Sequence, residues 1–394
     1  MTRELTIFAE MSALAASTGA LNLGQGFPDD DAPREMLEAA RRAIAEGHNQ
    51  YPPGRGIQAL RQAIAAHQQR FWGIPLDPDS QVMVTAGATE ALAASLLALA
   101  GPGDEVLTIE PFYDAYAAVI RLSGARHTTV PLRLQRRPEP HFVLDHDQLR
   151  AAFTPSTRVV LVNNPNNPTG FQFSRADLEF IVECAERVGA TIVTDEVYEH
   201  LCFEAPHLPV ASLPGGFERT LTISSAGKTF SVTGWKVGWV SGPADLVDRV
   251  EGVKQWLTFT NAAPLQPAVA VGLGLGDEVF AAARASLRER RDLLADGLRA
   301  AGLEPFVPQA GYFTVADPSA LGIRDGAAAC RSMATAVGVV GIPYAAFCAP
   351  GDRARPDERS AGSDGDAWIR FAHCKDRATL VEACRRLAGL AAGL

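Results

Sequence analysis

Residues 157–201 read TRVVLVNNPNNPTGFQFSRADLEFIVECAERVGATIVTDEVYEHL. A strand-like apolar run, a cluster of turn formers, an amphipathic helix and a second β-branched run follow in that order. Strand, helix, strand in this rhythm builds a mostly parallel sheet with helices on its faces. The rhythm extends outward on both sides. QVMVTAG (81–87) runs into the helix of ATEALAASLLALA (88–100), and DEVLTIEPFY (104–113) into that of DAYAAVIRLSG (114–124). RTLTISS (219–225) and KVGWVSG (236–242) add further strands. In α/β sheets ligands bind beyond the carboxyl ends of the strands. Polar residues gather at those ends, just after VMV, VLTI, VVLV, TIV and LTI.

From about residue 285 the texture changes. RASLRERRDLLADGLRAAG reads as a long charged amphipathic helix, and a smaller α+β unit is expected through GYFTVAD, VGVVGIP and AWIRFAHC. A chain of 394 residues is too long for one core, so two lobes are expected. Their bounds are an N-terminal arm with part of the small domain over 1–40, a large ligand-binding domain over 41–284 and a small C-terminal domain over 285–394. APGDRARPDERSAGSDGDA (349–367) is polar and aperiodic and reads as a mobile loop of the second lobe.

Composition narrows the function. The chain is 47% apolar and 21% charged, as soluble globular proteins are. A net charge of -9 argues against nucleic acid or an anionic membrane as partner. The cysteines, Cys184, Cys202, Cys330, Cys348, Cys374 and Cys384, form no CxxC pair and adjoin no histidine cluster, so no metal or redox motif is expected. Scattered thiols fit a reducing cytosol. MTRELTIFAEMSALAAS is interrupted by Glu4 and Glu10 and lacks a signal-peptide core. The apolar stretch ALAASLLALA is too short to cross a bilayer. A cytoplasmic protein is expected.

The chemistry centres on SSAGKTFSVTGWKVGWVSG (224–242), where Lys228 and Lys236 stand in a nearly uncharged stretch. A lysine with apolar walls and few ions around it tends to lose its proton and can act as an amine nucleophile. Gly87, Ala88 and Thr89 lie between a strand and a helix, where backbone N–H groups and the helix N-terminus favour a phosphate. Such a turn is more often simply a turn. Lys236 and Ser225 could supply a counter-charge and a hydroxyl for the same phosphate. Asp195, at a strand end, reads as a binding-edge carboxylate or as an N-cap. Tyr198 reads as a packing aromatic or a site hydroxyl, and Asn167 as a loop former or an amide aimed into a site. Tyr113 is either a core aromatic or a stacking surface. Arg370 alternates with apolar neighbours; it is solvent-facing or, if buried, a fork for a carboxylate. Together these groups suit pyridoxal 5′-phosphate (PLP), which wants a lysine for its aldehyde and an acid for its pyridine nitrogen.

On these residues the chain resembles the fold-type I, class I/II aminotransferases over nearly its full length. Within them it is most similar to the kynurenine–methionine-type branch and the actinobacterial N-succinyldiaminopimelate aminotransferases. LNLGQGFPD, NQYPPG, VTAGATEAL, EPFYDAY, NNPNNPTG, TDEVYEHL, SSAGKTFSVTGWKVGW and IRFAHCKD occur in the family's order. The resemblance implies a large PLP-binding domain with a mostly parallel seven-stranded sheet flanked by helices, plus a smaller α+β domain. It implies ping-pong transfer of an amino group between an L-amino acid and a 2-oxo acid. Lys228 is implied as the Schiff-base lysine and later the base, with Lys236, Ser225 and the backbone of Ala88 and Thr89 on the phosphate. Asp195 is implied against the pyridine nitrogen, Asn167 and Tyr198 on the phenolic oxygen, and Tyr113 stacked on the ring. Arg370 and Asn167, helped by the backbone of Gly26, are implied to hold the substrate α-carboxylate, and Phe8 to line the pocket. Tyr51 is implied to reach the phosphate of the other subunit, which makes the enzyme a homodimer with shared active sites.

The substrate side chain is not legible. Asn261 stands where relatives contribute an aromatic residue or a glycine across the dimer, a departure that weakens transfer of aromatic specificity. Arg55 reads as a surface residue or, less favoured, as a partner for a distal carboxylate. The 351–366 loop is a further candidate for covering the pocket. A PLP-dependent C–S β-lyase on the same fold is the alternative function. A non-enzymatic regulator is more distant, because the motifs begin within the first 25 residues and the chain is acidic.

Overall fold

The expected alternation forms a seven-stranded sheet in the computed structural model, which describes residues 6–137, 139–349 and 365–390. Its strands are β1 (Val82–Thr85), β2 (Glu105–Glu110), β3 (Arg126–Pro131), β4 (Thr157–Asn163), β5 (Thr191–Asp195), β6 (Thr220–Ser225) and β7 (Gly238–Ser241). They lie in the order β1-β7-β6-β5-β4-β2-β3. All neighbours are parallel except those of β7, which is antiparallel to β1 and β6. The helices that matter below are α1 (Ile7–Thr18), α2 (Gln58–Trp72), α3 (Gly87–Leu99), α4 (Ala115–Ser123), α5 (Arg175–Val188), α6 (Asp277–Ala300), α7 (Gly326–Ala336) and α8 (Arg377–Leu387).

Side chains alternate across a strand, so each strand of this sheet feeds two cores. Val159 and Leu161 join Ala91, Leu92 and Leu96 of α3 on one face. Val160 and Val162 join Leu178, Ile181 and Val182 of α5 on the other. Burial on both faces explains why these strands read as continuous apolar runs. Helix α5 starts where Ser174 and Asp177 cap each other reciprocally.

A second sheet, antiparallel throughout, has the order β8 (Glu304–Phe306), β9 (Phe313–Asp317), β11 (Ile369–Ala372), β10 (Ile342–Pro343). Met11 and Ala15 of α1 pack with Leu294 of α6, Met333 of α7, Leu380 of α8, Ile369 and Phe371. Leu21–Asn22 pairs with Val339–Val340, so the N-terminal segment is built into this unit. VGVVGIP therefore serves two sheets, Val339–Val340 in one and Ile342–Pro343 in the other. Helix α6 begins at Asp277, so the change of texture near 285 falls inside one continuous helix. Of the 351–366 loop, residues 351–364 lie outside the described residues. No helix among the described residues is long and apolar enough to cross a membrane.

The register sets the binding edge. Asn163 faces Asp195, Asp195 faces Ile223, and Gly238 faces both Ser225 and Thr85. Because β7 runs against its neighbours, its first residue meets the edge where theirs end. Lys236, just before β7, is thereby carried to the same rim as Asn163, Asp195 and Ser225.

Candidate active site

That rim opens into a cavity of about 540 Å³. Phe8, Gly26, Ala88, Thr89, Tyr113, Asn167, Asp195, Tyr198, Ser225, Lys228, Lys236 and Arg370 all line it. Of the candidates taken from the sequence, Tyr51, Arg55 and Asn261 lie outside this lining. Tyr51 is 82% exposed and packs edge-on against Phe259, with centroids 5.7 Å apart.

One end of the cavity is built for an anion. Helix α3 opens at Gly87, and its first-turn N–H groups have no acceptor within the helix. Ala86 N–H donates to Glu90 at 2.6 Å, while Ala88 and Thr89 border the cavity. A Cβ on Gly87 would lie 3.6 Å from Lys236 Nζ, so the ammonium sits over the start of the helix. Neither that ammonium nor the buried Ser225 hydroxyl has a protein partner among the described residues. Gly238 permits the close approach, since a Cβ there would stand 2.6 Å from the carbonyl carbon of Gly87. Asn261 braces the loop: its Nδ2 donates to the carbonyls of Thr85 and Lys236, each at 3.1 Å. In its own chain Asn261 is a bracket for the Lys236 backbone, which holds a left-handed φ of 53°.

The centre holds a buried carboxylate. Asp195 Oδ2 accepts from the Tyr116 hydroxyl at 2.6 Å and Oδ1 from Val197 N–H at 3.3 Å. The N-cap alternative is thus partly true of Asp195, alongside its place at the rim. Burial raises its pKa, opposed by those two hydrogen bonds and by the charge of Lys228. Asn163 ties the rim together, donating to the Asp195 carbonyl at 2.9 Å and accepting from Asn167 N–H at 2.7 Å. The Tyr198 phenol is pushed up by burial, and its hydroxyl has no hydrogen-bond partner among the described residues.

Lys228 sits in the single turn Ala226–Thr229 that follows β6. Its Nζ donates to Gly26 O at 3.1 Å and lies 5.9 and 5.3 Å from the ring centres of Tyr198 and Tyr312. Burial lowers its pKa, and the nearby Arg370 and Lys236 add to the lowering, against Cys374 and Asp195. An amine poised this way yields its proton more easily than an exposed lysine.

Arg370 is 1% exposed on the central strand β11. Its Nη1 donates to the Asn167 side-chain oxygen at 3.0 Å and its Nη2 to Gly24 O at 2.6 Å, while Nε has no partner among the described residues. The guanidinium lies 3.6 Å from the Phe313 ring centre, 4.6 Å from that of Phe347 and 5.3 Å from that of Phe8. Burial brings its pKa down to about 9. A buried cation with an open N–H calls for an anion, and a carboxylate suits its forked shape.

Sequence reasoning missed three neighbours of these groups: Tyr116, Asp114 and Tyr312, whose hydroxyl donates to the Lys228 carbonyl. Asp114 lines the cavity, its carboxyl raised by burial and lowered by Arg370. The legible signal was EPFYDAY, which sets Tyr113 and Tyr116 three residues apart where the chain enters α4. Arg55 is committed elsewhere: it pairs with Asp248 and, at 2.8 Å, with Glu251, and donates to the carbonyls of Asp79 and Ser80. It does not line the cavity.

The groups gathered around the cavity fit PLP. The anion end matches its phosphate, Asp195 its pyridine nitrogen, Tyr198 and the Asn167 amide its phenolic oxygen, and the Lys228 amine its aldehyde.

The family described as aminotransferase class I and II matches residues 18–387. A probable N-succinyldiaminopimelate aminotransferase of Mycobacterium tuberculosis is 50% identical over 98% of this chain and 96% of its own. The solved structure of an N-succinyldiaminopimelate aminotransferase from that organism superposes with a TM-score of 0.93, covering 98% of this chain and 97% of the other. The methionine aminotransferase of Escherichia coli is 38% identical over 97% of this chain and 95% of its own. These relatives are transaminases, which does not favour the β-lyase alternative. Fold, cavity and similarity agree, and the chain belongs to the class I and II aminotransferases, enzymes that transfer amino groups between amino acids and oxo acids with PLP as cofactor.

Proposed function

We propose that the residues of this cavity divide the work of transamination as follows, in a cytoplasmic homodimer. The observation that carries the reading is Lys228: a half-buried lysine with a lowered pKa that lines one cavity with Arg370, whose Nε has no partner among the described residues. When bound, PLP supplies an aldehyde to take up the amino group and a ring to draw electrons from Cα. Lys236, Ser225 and the first turn of α3 hold its phosphate. Asp195 faces the pyridine nitrogen and keeps a proton there, Tyr198 and Asn167 bond the phenolic oxygen, and Tyr113 lies on the ring. Arg370 takes the substrate carboxylate through its free N–H, and the rings of Phe8 and Phe313 keep water from that contact. This fixes the Cα–H bond with respect to Lys228, whose neutral Nζ removes the α-proton and later returns it.

Exposed apolar side chains support the dimer: Tyr51 at 82%, Trp256 at 81%, Phe259 at 53% and Leu257 at 47%. In that dimer Tyr51 reaches the partner's phosphate. Six free cysteines and the lack of a membrane-spanning helix among the described residues support the cytoplasm. For donors we propose N-succinyldiaminopimelate, after the name of the 50% identical relative, together with glutamate, methionine and aromatic amino acids. A panel of these donors against 2-oxoglutarate, run beside sedimentation of the same sample, tests both points. A monomer with full turnover contradicts the shared site, and no turnover with any donor contradicts the substrate range.

A further inference from the structure

We propose that Tyr116 is a positioning residue for the pyridine nitrogen of the cofactor, acting through Asp195. The proposal rests on the reading of Asp195 given above. Tyr116 is 2% exposed, and its hydroxyl makes one hydrogen bond among the described residues, to Asp195 Oδ2 at 2.6 Å. Val197 N–H holds the other oxygen. A carboxylate offers about four lone-pair sites, so these two donors fix its plane and still leave each oxygen an acceptor toward the cavity. A hydrogen bond to an ionised acceptor is roughly twice as strong as a neutral one, so the hydroxyl favours the charged form of Asp195 that a protonated pyridine needs.

The placement on α4 adds to this. Tyr113 stands two residues before that helix and Tyr116 is its second residue, with ring centroids 5.8 Å apart and planes at 89°. Both line the cavity. The entry into α4 therefore presents an aromatic face to the ring position and a hydroxyl to the carboxylate behind the ring nitrogen. The bland alternative is that Tyr116 merely packs, since its ring also belongs to the core around Leu92 and Val119. The two readings differ in one respect. A packing residue supports the site whatever occupies it, whereas a positioning residue matters only when a pyridine nitrogen is present.

The test compares affinity for PLP with affinity for its 1-deaza analogue, in which carbon replaces the pyridine nitrogen, by equilibrium dialysis against apoenzyme. Wild type is expected to prefer PLP. Tyr116→Phe is expected to weaken PLP about tenfold and leave the analogue unchanged, with kcat lowered and KM for the amino acid unmoved. The ratio of affinities is internal to each variant, so general loosening cancels. If Tyr116→Phe does not fold, Tyr116→His, which keeps a donor at the position, is expected to retain the preference; its loss counts against the proposal. Equal weakening of both ligands, or no weakening of either, overturns the role of Tyr116. Asp195→Ala separates the two levels. If it keeps the wild-type preference, the reading of Asp195 fails and Tyr116 falls with it. If it loses the preference while Tyr116→Phe keeps it, only Tyr116 falls.

Discussion

Arg370, on a strand of the second sheet, and Asn167, in the turn after β4 of the first, meet at 3.0 Å, the guanidinium Nη1 donating to the amide oxygen. With Nη2 committed to Gly24 O, the orientation of the fork is set before any substrate arrives. Arg370→Lys keeps a charge but loses the fork. KM for both amino acid and oxo acid is expected to rise about 10- to 100-fold, the worth of a charged hydrogen bond, with PLP affinity unchanged. Initial-rate kinetics in both directions check this, and an unchanged KM would remove Arg370 from substrate binding.

Lys228→Ala should still hold PLP, loosely, through the phosphate cradle. Turnover is expected to fall by at least about 10³, since the variant lacks the group that moves the α-proton. Rates with a fast donor, measured on protein shown by absorbance to contain cofactor, decide it. Near wild-type turnover would assign the base elsewhere.

Gly238→Ala tests the cradle by shape alone. The new Cβ would meet the backbone of Gly87 and Ala88 at 2.6 and 2.8 Å, so the first turn of α3 must shift. Weaker PLP binding is expected, together with a loss of about 1–3 kcal/mol of stability from overpacking. Cofactor titration and urea unfolding of the apo form measure the two effects. Unchanged binding would mean that α3 does not carry the phosphate.

Much of the site was legible because it lies at strand ends. Asp195 closes a β-branched run and Ser225 another, and a parallel sheet brings such ends to one edge. Lys236 was harder: it reaches that edge because β7 runs backward, and direction is not written in an apolar run. Arg370 misleads in another way. Alternation along a strand implies a solvent-facing arginine, but Ile369, Arg370, Phe371 and Ala372 are all buried because aromatic side chains and α-helices cover the sheet. The two-residue strands at Leu21 and Val339 are too short to show a period. The ion pairs that occupy Arg55 lie 193 and 196 positions away in sequence, beyond the reach of local pattern.

Acid should destabilise the fold through a buried imidazole pair. His67 and His200 lie Nε2 to Nε2 at 2.6 Å, joining α2 to the turn after β5, and burial lowers their pKa values to about 3 and about 2. The unfolded value is about 6.5, so from there down to about pH 3 the unfolded chain binds protons that the folded chain refuses. Stability is expected to fall by about 1.4 kcal/mol per pH unit for each imidazole in that window. His207 acts oppositely: pairing with Glu196 outweighs burial and raises it to about 10, so its stabilisation is complete below pH 6.5 and lost as pH rises through 10. Urea midpoints from pH 7.5 to 5 for wild type and His67→Gln check the acid limb, where the variant should show the shallower slope.

The most direct measurement mixes PLP-loaded enzyme with methionine or glutamate and no oxo acid. About one 2-oxo acid should be released per cavity, without ammonia, and turnover should resume only when a second oxo acid is added. With a cysteine S-conjugate in place of those donors, release of pyruvate, ammonia and thiol beyond the number of sites would contradict amino transfer and return the cavity to the lyase alternative.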